Sequence, residues 1–463
     1  MAPHERLQRV IDLVAPVAAA FRDAGFELYA VGGCIRDAFL DIESRSADID
    51  LTTNARPDDI ERLLAPLCAA TWDMGRNFGT LGGRLKGSDC IVEITTFRRE
   101  IYRGDSRKPD VTFGDTLEED LIRRDFTVNA MAFDVINPGL IDPTGGASDL
   151  NARLLRAPMD PVVLFSEDPL RMLRAARFAA RFAFAIDPAL EAAALQLAER
   201  LSIVSPERIR GELDLLLVTE DPTPGLDFIT RTGLAVYFLP ELPSLALEQD
   251  PVHRHKDVLS HTYAVVAKAT ASDLTLRLAC LLHDIGKPKT RAFTDGGVTF
   301  HGHDHVGARM TRKRMAALHY SQEMIDDVSK LVEMHLRFHT YQMGWTDSAV
   351  RRYVRDAGHL LAQLNELTRC DCTTRNKRKA DELSKRMDSL EARIEQLRQQ
   401  EDLDAQRPAL DGVQIMELLE IGPSRAVGEA LDFLMQIRLD EGEIDPADAA
   451  RRLREWWITR QST

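Results

Sequence analysis

Short apolar runs rich in β-forming residues occupy 27–31, 49–52, 90–96 and 131–135 and alternate with helical stretches. From Pro161 onward the apolar residues recur at helical spacing. That division places the mixed sheet before about residue 155. It predicts an α+β protein, with a mixed-sheet head, in which strands alternate with helices such as 57–70, ahead of an all-α remainder. At 463 residues the chain exceeds what one hydrophobic core usually supports, so several domains are expected. Their expected limits are 1–155, 156–222, 223–402 and 403–463, with Pro222 and Pro224 breaking the chain near the second boundary. Residues 380–402 are charged, Leu- and Glu-rich and free of Gly and Pro, which predicts one long helix. Beyond Pro408 a last segment carries its own apolar pattern: Ile415, Met416, Leu418, Leu419, Leu431, Leu434 and Met435.

The net charge of -14 argues against a protein that coats nucleic acid over its whole surface, but local basic patches remain available. Residues 375–386 hold six basic side chains against two acidic ones; a solvated helix face is the competing reading. No apolar run approaches the roughly 18 residues of a membrane helix, and the first ten residues lack a signal peptide's apolar core. A cytoplasmic protein with no membrane partner is expected. The six cysteines are too scattered for a disulfide framework and read as reduced thiols.

Asp48-Ile49-Asp50 sits in an apolar β-rich run, and residues two apart on a strand point to one face. Two carboxylates side by side are costly without cations. A pair of Mg²⁺ ions resolves that cost, activates an attacking hydroxyl and neutralises a triphosphate. Glu93, polar within Ile91-Val92-Glu93-Ile94, is the candidate third carboxylate; a strand-edge glutamate is the competing reading. Gly32-Gly33 lets backbone N–H groups approach phosphate oxygens, with Arg36 close behind. No GxxxxGK[ST] motif occurs here, which argues against a P-loop NTPase.

The run from Gly32-Gly33 to Asp37, followed by Asp48-x-Asp50, resembles the active-site signature of class II tRNA nucleotidyltransferases and bacterial poly(A) polymerases, of the polymerase-β superfamily. Further motifs match in order: Arg123-Arg124-Asp125-Phe126-Thr127-Val128-Asn129-Ala130, then Asp142-Pro143-Thr144-Gly145-Gly146 with Asp149-Leu150, then Glu167-Asp168-Pro169-Leu170-Arg171. The resemblance implies a polymerase-β-like head, a neck that serves as the template, and nucleotide binding at Gly33, Arg36, Arg124, Asp168, Arg171, Arg174 and Arg177. It also implies tRNA, CTP and ATP as partners. Residues 96–121 resemble the flexible loop that CC-only relatives lack, so CC-only addition is disfavoured.

The template role also follows from chemistry. With 168–181 helical, Asp168 and Arg171 are neighbours on one face, and Arg174 and Arg177 continue the row to steady base or phosphates. Aspartate accepts from an exocyclic amino group while arginine donates to ring nitrogen or carbonyl, so the pair selects cytosine and adenine over uracil and guanine. Arg208 and Glu212 resemble the family's fifth motif, with mutual helix support as the expected role.

Apart from His4, every histidine lies between 253 and 359. His261, His283-Asp284 and Asp371 have the order of an HD-domain metal site, with His303 and His335 as possible further ligands; Leu281 to Lys287 resembles that family's signature. Imidazole with carboxylate suits a divalent transition metal or Mg²⁺. The expected protein is therefore a CCA-adding tRNA nucleotidyltransferase with head, neck, HD body and tRNA-gripping tail. A-adding and poly(A)-synthesising activities compete with that reading, as does an HD phosphohydrolase with an inactive head.

Overall fold

The structure, a computed structural model, describes residues 3–42, 48–73, 79–101, 110–114, 116–247, 257–294, 297–339, 345–374, 376–400 and 407–461. The chain divides into two compact units, 1–243 and 244–463.

The first unit opens with α1 (Pro3–Asp23), β1 (Tyr29–Val31), α2 (Gly33–Phe39), β2 (Asp48–Thr53), α3 (Pro57–Leu64), β3 (Cys68–Asp73), β4 (Thr80–Leu85) and β5 (Ile91–Thr96). A separate pair, β6 (Arg98–Ile101) and β7 (Asp110–Phe113), leads through α4 (Leu117–Ile122) to β8 (Ala132–Asp134), β9 (Gly139–Ile141) and α5 (Gly146–Ala152). Seven strands form one sheet in the order β3-β4-β5-β2-β1-β8-β9. Only β2 with β5 pairs in parallel; the other neighbours are antiparallel, so the sheet is mixed as expected. Helix α1 packs on α2 and α3 with Val14, Val17 and Phe21 fully buried.

The stretch 57–70 departs from the expected helix. It is α-helical only to Leu64, passes through a short 3-10 turn containing Pro66, and is a strand from Cys68. Ala65 is still in the α region, but Pro66 has no backbone N–H with which to continue the α-helical ladder. Pairing of β3 with β4 then overrides the helical preference of Ala69 and Ala70.

A two-stranded parallel pair, β10 (Leu154–Leu155) and β11 (Ala185–Ile186), brackets α6 (Pro161–Glu167) and α7 (Leu170–Phe182). The unit continues with α8 (Pro188–Leu197), α9 (Pro206–Leu217) and α10 (Thr223–Arg231). Proline at the first turn starts α6, α8 and α9, where its fixed φ suits the helix and no donor is missed.

The second unit is helical apart from one hairpin, among the described residues. It comprises α11 (Val258–Lys268), α12 (Leu274–Leu282), α13 (Lys287–Thr290), the hairpin β12 (Ala292–Thr294) and β13 (Gly297–Thr299), α14 (His303–Ala317), α15 (Gln322–Met334), α16 (Asp347–Ala357), α17 (Leu361–Asp371) and α18 (Lys377–Gln400). The expected long helix is α18. Helices α19 (Gly412–Leu419), α20 (Arg425–Glu441) and α21 (Pro446–Gln461) close a core of their own around Ile415, Ala430, Leu434 and Leu453. A capping box, Asp411 with Gln414, fixes the start of α19. No described helix is long and apolar enough to cross a membrane.

Candidate functional site

In the first unit, parallel register sets Glu93 beside Asp50 and Ile91 beside Asp48, so β2 and β5 bring three carboxylates together. Their repulsion is visible. Desolvation, then Asp50 and Asp48, push the Glu93 pKa up. Desolvation, opposed by Arg124 and reinforced by Asp48, leaves the Asp50 carboxyl above its usual range. A cation bound by hard oxygen donors would relieve that strain, and an all-carboxylate donor set suits Mg²⁺.

Gly32, at φ +71°, turns the chain from β1 into α2. A Cβ there would lie 3.3 Å from an Arg124 guanidinium nitrogen and 3.7 Å from Asp50 Oδ2, so the turn requires glycine both for its conformation and for that approach. Arg36 is buried; it donates to Asn129 Oδ1 at 2.6 Å and to Asp37 Oδ1 at 2.8 Å, and its guanidinium lies 4.7 Å from the Phe182 ring centre. Arg123 and Arg124 both donate to Asp120. Burial alone would raise that carboxyl, but the two arginines hold it at about 2. Asp125 accepts from Asn129 Nδ2 at 2.9 Å and from Arg174 Nε at 2.8 Å, which ties this motif to α7. Phe126 meets Phe178 of α7 edge to face, with centroids 5.6 Å apart.

These elements enclose a cleft of about 360 Å³ whose lining includes seven arginines and three aspartates. Gly33, Arg36, Asp50, Arg124, Asp168, Arg171 and Arg174 face it. Asp48, Glu93 and Arg177 lie off its lining. Arg177 donates instead to Glu212 at 2.6 Å, deep in the packing of α7 on α9. Arg98, Arg123, Asn129, Phe178 and Arg208 also line the cleft. The first four stand in or near motifs already quoted or in the helix after them, but sequence spacing gave no sign of which way they point.

Two expectations change here. Asp168 is not helical: α7 begins at Leu170, and Asp168 ends α6 in an extended conformation, φ -133° and ψ 99°. Pro169 explains this, since it pushes the residue before it out of the α region. Asp168 and Arg171 still meet at the cleft, through a turn in which Leu170 N–H donates to Asp168 Oδ1 at 3.1 Å. Arg171 is aimed by Glu167, 3.4 Å away, and by the Arg123 carbonyl at 2.9 Å. The second change concerns Arg208 and Glu212. Arg208 reaches Asp168 Oδ2 at 2.9 Å, while Glu212 holds Arg177 and, at 3.7 Å, Arg174. The loop expected within 96–121 lies partly outside the described residues, as do His253, His255 and Arg375.

The second unit gathers histidines at helix ends. His283 follows α12, His303 opens α14, His335 follows α15, Asp371 closes α17, and His261 sits in the first turn of α11. Two groups, His261–His283–Asp371 and Asp284–His303–His335, each hold ligand atoms within 4.8 Å of one another. Asp284 spans them: Oδ2 lies 3.1 Å from His283 Nε2, and Oδ1 lies 3.4 Å from His303 Nε2. The Nδ1 atoms of His283, His303 and His335 contact the carbonyls of Cys280, Phe300 and Val332 at 2.8, 2.8 and 2.6 Å. A carbonyl only accepts, so Nδ1 must carry the proton and Nε2 presents its lone pair inward. Yet Nε2 atoms face each other at 3.3 Å in both groups. Where both rings are pinned, at His303 and His335, opposed lone pairs at that distance fit a shared cation, and imidazole with carboxylate fits a borderline transition metal. Without a cation the charges balance differently: burial would raise Asp284 and Asp371, but protonated neighbouring histidines hold both well below the carboxylate range, and Asp284 in turn, against desolvation, raises His283. Burial and the neighbouring His283 push His335 down to about 4. A Cβ at Gly286 would fall 2.1 Å from the His303 carbonyl oxygen, so the close approach that joins the two groups needs glycine.

Residues 28–156 match the family model for the poly A polymerase head domain, 183–245 that for the probable RNA and SrmB-binding site of polymerase A, and 258–397 that for the HD domain. The chain is 34% identical over 443 residues, 92% of its own length and 94% of the relative's, to an A-adding tRNA nucleotidyltransferase of Deinococcus radiodurans. It is 39% identical over 272 residues to a CCA-adding enzyme of Levilactobacillus brevis, which spans 58% of this chain and 64% of that relative. Its fold is that of the Bacillus stearothermophilus CCA-adding enzyme solved in complex with CTP: TM-score 0.68, 24% identity, covering 100% of this chain and 99% of the other.

Proposed function

We propose, since this chain belongs to the tRNA nucleotidyltransferase family, that it adds C, C and A from CTP and ATP to the 3′ end of tRNA without a nucleic-acid template. One observation carries the reading: a base-reading pair, Asp168 and Arg171, opens into the same arginine-lined cleft as Asp50. Asp168 accepts from the exocyclic amino group of cytosine or adenine, and Arg171 donates to the adjacent ring nitrogen or carbonyl. Arg36, Arg124 and Arg174 supply positive charge for the triphosphate while held by Asn129, Asp120 and Asp125. Asp48, Asp50 and Glu93 would hold two Mg²⁺, which when bound activate the tRNA hydroxyl and neutralise the departing pyrophosphate.

The division of labour we infer is a catalytic head at 1–155, a templating neck at 156–222, an HD body at 223–402 and a tRNA-binding tail at 403–463. The enzyme would work in the cytoplasm. The test is incubation with tRNA lacking its last three nucleotides, with CTP and ATP alone and together; failure to incorporate C rejects CCA addition. The extent of the match to the A-adding relative favours a second reading, addition of the terminal A alone. In that case tRNA ending in CC is extended and tRNA lacking CCA is not.

In the body, His261, His283, Asp284 and Asp371, with His303 and His335, would hold divalent transition-metal ions, which when bound supply a nucleophilic hydroxide for phosphoester hydrolysis. Metal analysis of the purified protein, with phosphodiesterase assays of His283→Ala and Asp284→Ala, tests this; an unchanged phosphodiesterase background rejects hydrolysis.

A further inference from the structure

Asp168 is held from two sides. Oδ1 accepts from the Leu170 backbone at 3.1 Å, and Oδ2 accepts from Arg208 at 2.9 Å, across forty residues of chain. Arg208 sits in the first turn of α9 and lines the same cleft. The neighbouring neck arginines are committed elsewhere: Arg171 to Glu167 and the Arg123 carbonyl, Arg174 to Asp125, Arg177 to Glu212. With side chains about two-fifths and one-quarter exposed, the Arg208–Asp168 pair adds little to stability. Its consequence lies instead in where the carboxylate points.

We infer that Arg208 is a positioning residue for nucleotide selection, acting through Asp168; this rests on the proposed templating role of Asp168. A carboxylate accepts at either oxygen and turns about its last torsion, so a single hydrogen bond to Leu170 leaves its free edge poorly aimed. Arg208 fixes that edge. A fixed acceptor gains a hydrogen bond from the amino group of cytosine or adenine, and it opposes the carbonyl oxygen that uracil or guanine presents at the same place. Rejection of the wrong base depends on the carboxylate being unable to turn away. Arg208 therefore contributes more to excluding UTP and GTP than to accepting CTP and ATP.

The experiment measures kcat and KM for all four nucleotides on tRNA lacking CCA and on tRNA ending in CC, for wild type, Arg208→Ala, Arg208→Gln and Arg208→Lys, with thermal melting of each protein. In the alanine and glutamine variants the ratio of kcat/KM for CTP or ATP to that for UTP or GTP should fall about tenfold, with kcat for the accepted nucleotide changing less. The lysine variant, which keeps the charge but loses the planar donor, should restore part of the ratio. Equal losses for all four nucleotides, or a ratio unchanged in well-folded Arg208→Gln, overturn the inference while leaving the templating role in place. Wild-type protein that adds no nucleotide to either tRNA overturns the templating role itself.

Discussion

The head cleft and the histidine nest both gather charge, and they do it in opposite ways. In the head, three carboxylates stand on two strands with their repulsion only partly offset, and the opposing charge comes from arginines already engaged by other acids. In the body, six candidate ligands converge from helix ends, most of them buried, and the Nδ1 atoms of three of the four histidines are pinned to carbonyls, which fixes the direction of their Nε2 lone pairs. The first arrangement suits hard ions that arrive with a triphosphate and leave with its product. The second suits ions that stay.

That contrast can be broken most severely at Asp50. Asp50→Ala should lower nucleotide addition about a thousandfold or more in a tRNA extension assay, and leave the metal content of the purified protein unchanged. Loss of body metal in that variant would show the two sites to be coupled. His283→Ala with Asp284→Ala should do the reverse, removing tightly bound transition metal as read by elemental analysis while addition stays within about twofold.

Two stability measurements sharpen the comparison. Phe178→Ala removes the ring that meets Phe126 edge to face and lies 5.4 Å from the Arg36 guanidinium, and it should cost about 3–5 kcal/mol in denaturant unfolding of the first unit. Asp120 gives a smaller, pH-dependent effect. Its folded pKa, about 2, lies below the unfolded value of about 3.9, so its contribution is present above that value and lost as pH falls through the folded one. Roughly 2–3 kcal/mol of head stability should disappear between about pH 4 and pH 2, and Asp120→Asn should abolish that part of the acid dependence. Smallest of all, Thr373→Ala removes the hydroxyl 2.7 Å from His261 Nδ1 and should weaken body metal affinity about tenfold in a chelator competition.

The two regions were not equally legible in the sequence. Asp48 and Asp50 were readable because strand alternation is a local rule, but the partnership with Glu93 depends on a parallel register forty residues away. The histidine nest was readable as a set by its order along the chain, yet its division into two groups spanned by Asp284 is a fact of helix packing. The sequence misled where proline intervened: in the neck Pro169 holds Asp168 in an extended turn, and in the head Pro66 ends α3 early. Arg208 was visible as a motif residue, but i,i+4 spacing pointed to Glu212 when its partner came from another element. Local rules located the residues, and tertiary packing chose their partners.

The parallel pairing of β2 with β5 has a last consequence for how such a head can change. Alternation has a period of two, so one residue inserted between Asp48 and Asp50 would send the two aspartates to opposite faces, and one inserted between Asp50 and Thr53 would set Glu93 against a pleat of the wrong parity. The same insertion in the turn at Gly87 falls outside the β2–β5 pairing and leaves the parity of Asp48, Asp50 and Glu93 along their own strands unchanged. Length variation among descendants of this chain should therefore accumulate at such turns and be absent from the six residues of β2, and a directed-evolution library that randomises loop length has safe ground there.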